Sequence, residues 1–292
     1  MSYSTACNAA EAGALKGTGR TGKAQVGADQ EVFWSPSDFA FASKEDAVDI
    51  AAWNTAVAAG NLYYFGTIEE FDANDVEPTF YESPNGNLRL KTAEAKRVRQ
   101  YRFVECSCTH AALRSFDGVT GRLFFRTLDG FLRARYNSDG TVQGFLTSQF
   151  DVGLLTSPTT ETPAFTPVDV TFAAPDTDDE NQFEDKIDFR LEDVDQIFNA
   201  ELAASAVTSG ASLDFTLAIT KDCSNVPLTG VTESNLVVKD VNGNTLVKTV
   251  TPNGDVYDVS VTTALTACIV DFDGVQVIGG TPYTSEDLSV SV

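Results

Sequence analysis

Gly121–Val152 reads GRLFFRTLDGFLRARYNSDGTVQGFLTSQFDV, and its breaks decide what kind of chain this is. Asp129-Gly130 and Asn137-Ser138-Asp139-Gly140 interrupt two apolar-rich runs. Gly accepts positive φ without steric cost, and Asn, Asp and Ser hydrogen-bond their own backbone, so both breaks are turns between strands. Across the second turn Leu132, Ala134 and Tyr136 alternate with Arg133 and Arg135, and Val142, Leu146, Phe150 and Val152 alternate with Gln143, Thr147, Gln149 and Asp151. Period-two alternation predicts a β-meander with one face on a core. The other face, with Arg133, Arg135, Gln143, Thr147, Gln149 and Asp151, is left to line water, a channel or a partner subunit.

Upstream, residues 1 to 40 are rich in Gly, Ala, Ser and Thr and hold neither period, which predicts an arm that orders against something else. Ser43 followed by Lys44-Glu45-Asp46 reads as an N-cap with acids in the first turn, opening a helix that ends at Gly60. Strands follow at LYYFGTIEEFD from Leu62 and at TFYESPNGNLRLK from Thr79, where Asn85-Gly86 is a hairpin signal. Arg97–Thr109 contains no turn residue and is expected to be one long strand, with one or two helical turns at 111–116. Downstream, 157–167 is a proline-rich loop, and Val168, Val170 and Phe172, then Ile187, Phe189 and Leu191, predict two half-buried strands. A short acidic helix is expected from Glu192 to Phe198, and the small residues of AELAASAVTSGAS suggest a linker. Beyond 210, short strands recur every 8 to 12 residues with turns at Asn242-Gly243, Pro252-Asn253-Gly254 and Asp273-Gly274, the rhythm of an immunoglobulin-like β-sandwich. The expected class is mainly β with one helix: an arm over 1–40, a sheet-forming domain over 41–205 and a sandwich over 206–292.

Chemistry-bearing motifs are weak by comparison. Gly17–Lys23 nearly matches a phosphate-cradling loop, but Ala24 stands where a metal-binding Ser or Thr is required, and no hydrophobic strand precedes it. His110 is the single histidine, so any histidine-based catalytic arrangement must use it. With Cys106 and Cys108 it makes a poor zinc site, because no second pair of ligands follows. Asp176–Glu180 lacks the spacing of a calcium loop and reads as a solvated turn. The five cysteines are odd in number and dispersed, so free thiols are expected. No catalytic residue, metal or cofactor is expected. The chain shows no apolar span of about 18 residues, so no membrane contact is expected either.

Charge is more informative. Acids outnumber bases 42 to 20, for a net charge of -22, which opposes adhesion to nucleic acid. Between Gly86 and Arg135 eleven Lys or Arg face four acids, whereas between Asp169 and Glu201 twelve acids face Lys186 and Arg190 alone. Opposite blocks in one chain suit either head-to-tail assembly between copies or pairing within one sheet.

An arm, a helix, a long-stranded sheet carrying GFLTSQFDVG and VDVTF, and an appended sandwich together resemble the tail tube proteins of tailed bacteriophages. The resemblance is one of layout over most of the chain. It implies a homo-oligomer of stacked, usually hexameric rings, whose sheets join around an acidic channel that passes DNA without binding it. It also implies contacts with other tail proteins, residence in the virion tail after assembly in a bacterial cytoplasm, and ring-to-ring contacts through the arm and the loop around Asp72–Asn87. Arg133 and Arg135 fit such a lumen poorly. The alternatives are a capsid decoration or other head protein, and a carbohydrate-binding or adhesin module.

Overall fold

A computed structural model describes residues 28–83, 88–104, 107–221 and 224–292. The Gly17–Lys23 motif, the Asn85-Gly86 turn, Cys7, Cys106, Cys223 and residues 1–27 of the expected arm lie outside these. The chain divides into two compact units, Met1–Asn54 with Asn61–Val194, and Thr55–Gly60 with Asp195–Val292. The class is mainly β, as the alternation predicts.

The first unit holds β1 (Asp29–Ser35), α1 (Lys44–Ala47), the start of α2 (Ile50–Ala58) as far as Asn54, β2 (Tyr63–Ala73), β3 (Thr79–Glu82), β4 (Arg89–Ala93), β5 (Val98–Phe103), α3 (Ser107–Arg114), β6 (Arg122–Thr127), β7 (Phe131–Tyr136), β8 (Val142–Gln143), β9 (Phe145–Val152), β10 (Thr166–Phe172), α4 (Pro175–Glu180) and β11 (Gln182–Lys186). Six strands pair in the order β1-β2-β5-β10-β9-β6, and β6 returns to β1, so the sheet closes into a barrel within one chain. Closure removes every edge inside the ring. Its interior is filled by alternate side chains, among them Trp34, Phe65, Tyr101, Phe103, Phe125, Phe150 and Phe172. This barrel is a packed core and no channel. From β6 the sheet continues as a wing through β7, with β8 and β11 both paired to β7.

Several expectations change. Residues 29–35 are no arm: Val32 and Trp34 enter the barrel, while Phe33 meets Trp53 of α2 at 5.3 Å. The expected single helix is two, α1 capped by Ser43 Oγ accepting from Asp46 N, and α2 beginning only at Ile50. The helical turns expected at 111–116 are α3, which begins earlier, at Ser107, and ends at Arg114, whereas α4 was not expected. The strand expected to reach Thr109 stops at Phe103, and α3 follows. Phe116, just beyond it, packs on Trp34, Tyr63 and Phe65. Ile187–Leu191 is buried at its odd positions but lies outside β11, and the acidic helix expected at 192–198 is only a 3-10 turn over Leu191–Asp193. Cys108 is disulfide-bonded, against the expectation of free thiols, whereas Cys268 is free and buried.

Gly144 marks the point where the chain leaves the wing and enters the barrel. A Cβ there would sit 2.8 Å from the carbonyl of Leu123, where β6 and β9 pair through Leu123 and Phe145. Only glycine permits that backbone approach.

The second unit holds β12 (Phe198–Ser209), β13 (Leu213–Lys221), β14 (Val226–Pro227), β15 (Leu236–Lys239), β16 (Lys248–Asn253), β17 (Val256–Val261), β18 (Ala267–Phe272), β19 (Gln276–Ile278), β20 (Thr281–Ser285) and β21 (Leu288–Ser291). One sheet runs β16-β17-β13-β12-β20-β19 with β14 on β13, the other β15-β18-β21, and Leu213, Phe215, Leu217, Val259, Val270 and Phe272 fill a shared core. The residues read as a linker form β12, whose small side chains are mostly exposed. Tyr257 ties this sandwich together: its hydroxyl donates to Leu228 O at 2.9 Å and accepts from Val231 N at 3.2 Å.

Candidate functional site

The six residues of the polar meander face do not stay on one face. A register shift between β9 and β10 sets Thr171 opposite Gln149 but Phe172 opposite Thr147. The bulge at Ser148 inverts the alternation, so Phe145 and Thr147 point inward before it and Phe150 and Val152 after it. Thr147 is therefore buried, donating to Gly121 O at 3.0 Å and accepting from Gly121 N at 3.1 Å. Gln149 and Asp151 face outward. Gln143 is on the wing, donating to Asn137 Oδ1 at 2.9 Å.

Arg133 and Arg135 are paired within the chain. Arg133 Nη1 donates to Asp29 at 2.7 Å, and its Nε lies 3.3 Å from Glu184. Arg135 lies 3.6 Å from Asp178, which has 1% of its surface exposed. Glu31, fully buried, accepts from Arg190 Nε and Nη2 at 3.1 Å each, from Leu191 N at 2.9 Å and from Arg126 at 3.5 Å. Arg97 makes two bonds to Asp179, at 2.8 and 2.7 Å. The basic and acidic blocks thus meet inside one subunit. Asp176–Glu180, expected to be a solvated turn, is α4, and it carries Asp178 into the interior. Burial pushes the Asp178 carboxyl up to about 6, against the opposing pull of Arg135, Arg97 and Arg122 and with Asp179 adding to the rise. Among the described residues neither of its oxygens has a hydrogen-bond partner.

What remains exposed is the outer wall formed by β2, β5, β10 and β9. Cα partners share a sheet face, and the register runs Asp72 to Gln100, Gln100 to Asp169, and Asp169 to Asp151. Three carboxylates thus stand in one row across four strands. Gln100 Nε2 donates to Asp169 Oδ1 at 2.8 Å, and Arg102 reaches Asp72 at 3.4 Å. Asp169 and Asp151 oppose one another directly, a like-charge pairing that costs roughly 0.2–1 kcal/mol. The next row sets Val98, Thr171 and Gln149 side by side. Of this wall the sequence reading placed Gln149 and Asp151 on the polar meander face and Asp72 in a loop, whereas Asp72 lies in β2. Asp72, Gln100 and Asp169 come from strands far apart in the chain, and alternation gives each strand's faces but no register between strands.

The second exposed feature is the β3–β4 hairpin, which among the described residues pairs with no other strand and has every residue of both strands exposed. Phe80, Tyr81, Leu88 and Leu90 are 44–51% exposed. Arg89 lies over the Phe80 ring at 4.1 Å and 3.2 Å from Glu82. Two-stranded hairpins are marginal alone in water.

No protein-family model matches the chain, and no curated protein matches it.

Proposed function

We propose that this protein is a self-assembling structural subunit of a tube, of the kind that forms the tail of a tailed bacteriophage, and that the Asp72–Gln100–Asp169–Asp151 wall faces the channel. The single observation that carries this is the like-charged row itself. Placed around a common axis, such walls would give a negatively charged bore along which DNA slides without adhering. A direct Asp151–Asp169 opposition costs stability in the isolated subunit, so its benefit lies outside it. Internal pairing of Arg133 and Arg135 supports this reading, because it takes the two cations that disagreed with an acidic lumen out of contention. The β3–β4 hairpin would supply ring-to-ring contacts, its exposed apolar residues gaining the cover they lack here.

Negative-stain electron microscopy of the concentrated full chain tests this. Rings or tubes with a central pore are expected; a species that stays monomeric across protein concentration, salt and pH overturns the proposal.

A further inference from the structure

The second unit carries a feature of different character. The outward residues of β12, β13, β17 and β16 form two rows in register, Thr208-Asp214-Ser260-Thr249 and Ser205-Thr216-Asp258-Thr251. Every member is Ser, Thr or Asp. Asp214, Ser260, Thr249, Thr216, Asp258 and Thr251 of these rows line an open cleft of about 230 Å³, with Ala206 and the buried Phe215 and Val259 completing it. Ala206 sits at φ 53°, in the left-handed region that non-glycine residues rarely adopt, at the register break between Ser205 and Thr208. Such backbone strain, of order 1–3 kcal/mol, clusters where a ligand is held. Here the bulge takes β12 out of the regular ladder at the cleft.

The chemistry of the lining narrows the occupant. Neither row contains Lys or Arg, and two carboxylates repel an anion, so phosphate or a nucleic acid does not fit. Among the described residues no group of three or more His, Cys, Asp or Glu side chains is placed to hold a metal. Both carboxylates are also engaged by protein donors. Ser212 donates to Asp214 at 2.7 Å, the Ser260 and Ser212 hydroxyls together hold that carboxyl below its ordinary range, and Asn253 and Thr216 donate to Asp258 at 3.0 and 3.3 Å. A protein partner is disfavoured because interface centres are aromatic and apolar, whereas these rows expose neither. What suits fixed carboxylate acceptors beside hydroxyls that both donate and accept is a ligand with many hydroxyls of its own.

We propose that this cleft binds a neutral glycan. The inference is independent of the tube reading, since it concerns the sandwich alone and its test does not read assembly. Phe215 of the lining is buried in the core and offers no open stacking face, so the binding is weak and hydrogen-bond driven. Saturation-transfer NMR on the full chain, with neutral oligomers of glucose, galactose and N-acetylglucosamine as probes, measures it in any assembly state. Transfer to at least one neutral oligomer is expected, unchanged by EDTA and competed by its own monosaccharide. Loss of most of that transfer is expected in Thr216→Val/Thr251→Val, which keeps β-branched shape at outward-facing positions, and in Asp258→Asn. No transfer to any neutral oligomer, equal transfer in both variants, preference for polygalacturonate, or abolition by EDTA would each overturn the assignment. The last would indicate a cation site.

Discussion

Asp178 offers the sharpest test of the internal charge network. Its carboxyl is raised from 3.8 to about 6, so between those values the folded state binds a proton that the unfolded state has released. Stability from this group is therefore complete below about pH 3.8 and is lost as pH rises through about 6. A shift of roughly 2 units at 1.36 kcal/mol each corresponds to about 3 kcal/mol in full. Some 2 kcal/mol of that, roughly, falls between about pH 4.5 and about pH 7 by the same linkage. Other carboxylates titrate in this window, so the informative quantity is the difference between wild type and Asp178→Asn at each pH. Asn keeps the shape and cannot ionise. Relative to the variant, wild type should lose about 2 kcal/mol across the window. Urea unfolding followed by tryptophan fluorescence reads this cleanly, because both tryptophans, Trp34 and Trp53, belong to the first unit with Asp178. A difference that stays constant with pH, or that moves in wild type's favour as pH rises, would refute the reasoning. It would mean that Arg135, Arg97 and Arg122 outweigh burial after all.

Removing Glu31 should be far more costly than its single carboxylate suggests, since Arg190, Arg126 and Leu191 N all converge on it: Glu31→Ala is expected to lower stability by about 3–5 kcal/mol in the same urea assay. Gly144→Ala forces a Cβ onto the Leu123 backbone and should cost about 1–3 kcal/mol, visible as a lower melting temperature, whereas the same change at Gly243, where a Cβ meets nothing within 4 Å, strains only a turn. Asp151→Lys/Asp169→Lys converts the wall's carboxylate pair to cations. Gel-shift titration should show a gain of salt-sensitive duplex DNA binding absent in wild type; no gain would count against this wall as the channel face. Tyr81→Ser/Leu90→Ser, both on an exposed hairpin, should leave the melting temperature within about 0.5 kcal/mol equivalent of wild type while reducing ring stacking in micrographs.

Much of the fold was legible because alternation is a local property. The faces of β7 and β10, the strands β3 and β4, and the strand rhythm of the sandwich follow from side-chain period and turn residues over short stretches. Where local pattern misled, long-range contacts were responsible. Glu31 lies in a stretch that looked like a featureless arm, yet Arg190, 159 residues away, and the barrel wall bury it completely. Asp178 looked like one acid in a solvated run, but α4 turns it toward Arg135. The bulge at Ser148 moved Thr147 inside and left Gln149 and Asp151 outside, splitting a face that unbroken alternation had joined.

The meander quoted at the outset keeps its strands and turns and loses its unity. Its sequence alone determined that Gly121–Val152 would be β-structure with one apolar side, since φ-permissive turn residues and period-two patterning act within a few residues. Only tertiary structure decided that β6 and β9 would close a barrel, that β7 and β8 would form a wing, and that the arginines would turn to acids of their own chain. Register, closure and charge pairing join residues distant in the chain, and their free energy depends on which strands meet, something no local pattern encodes.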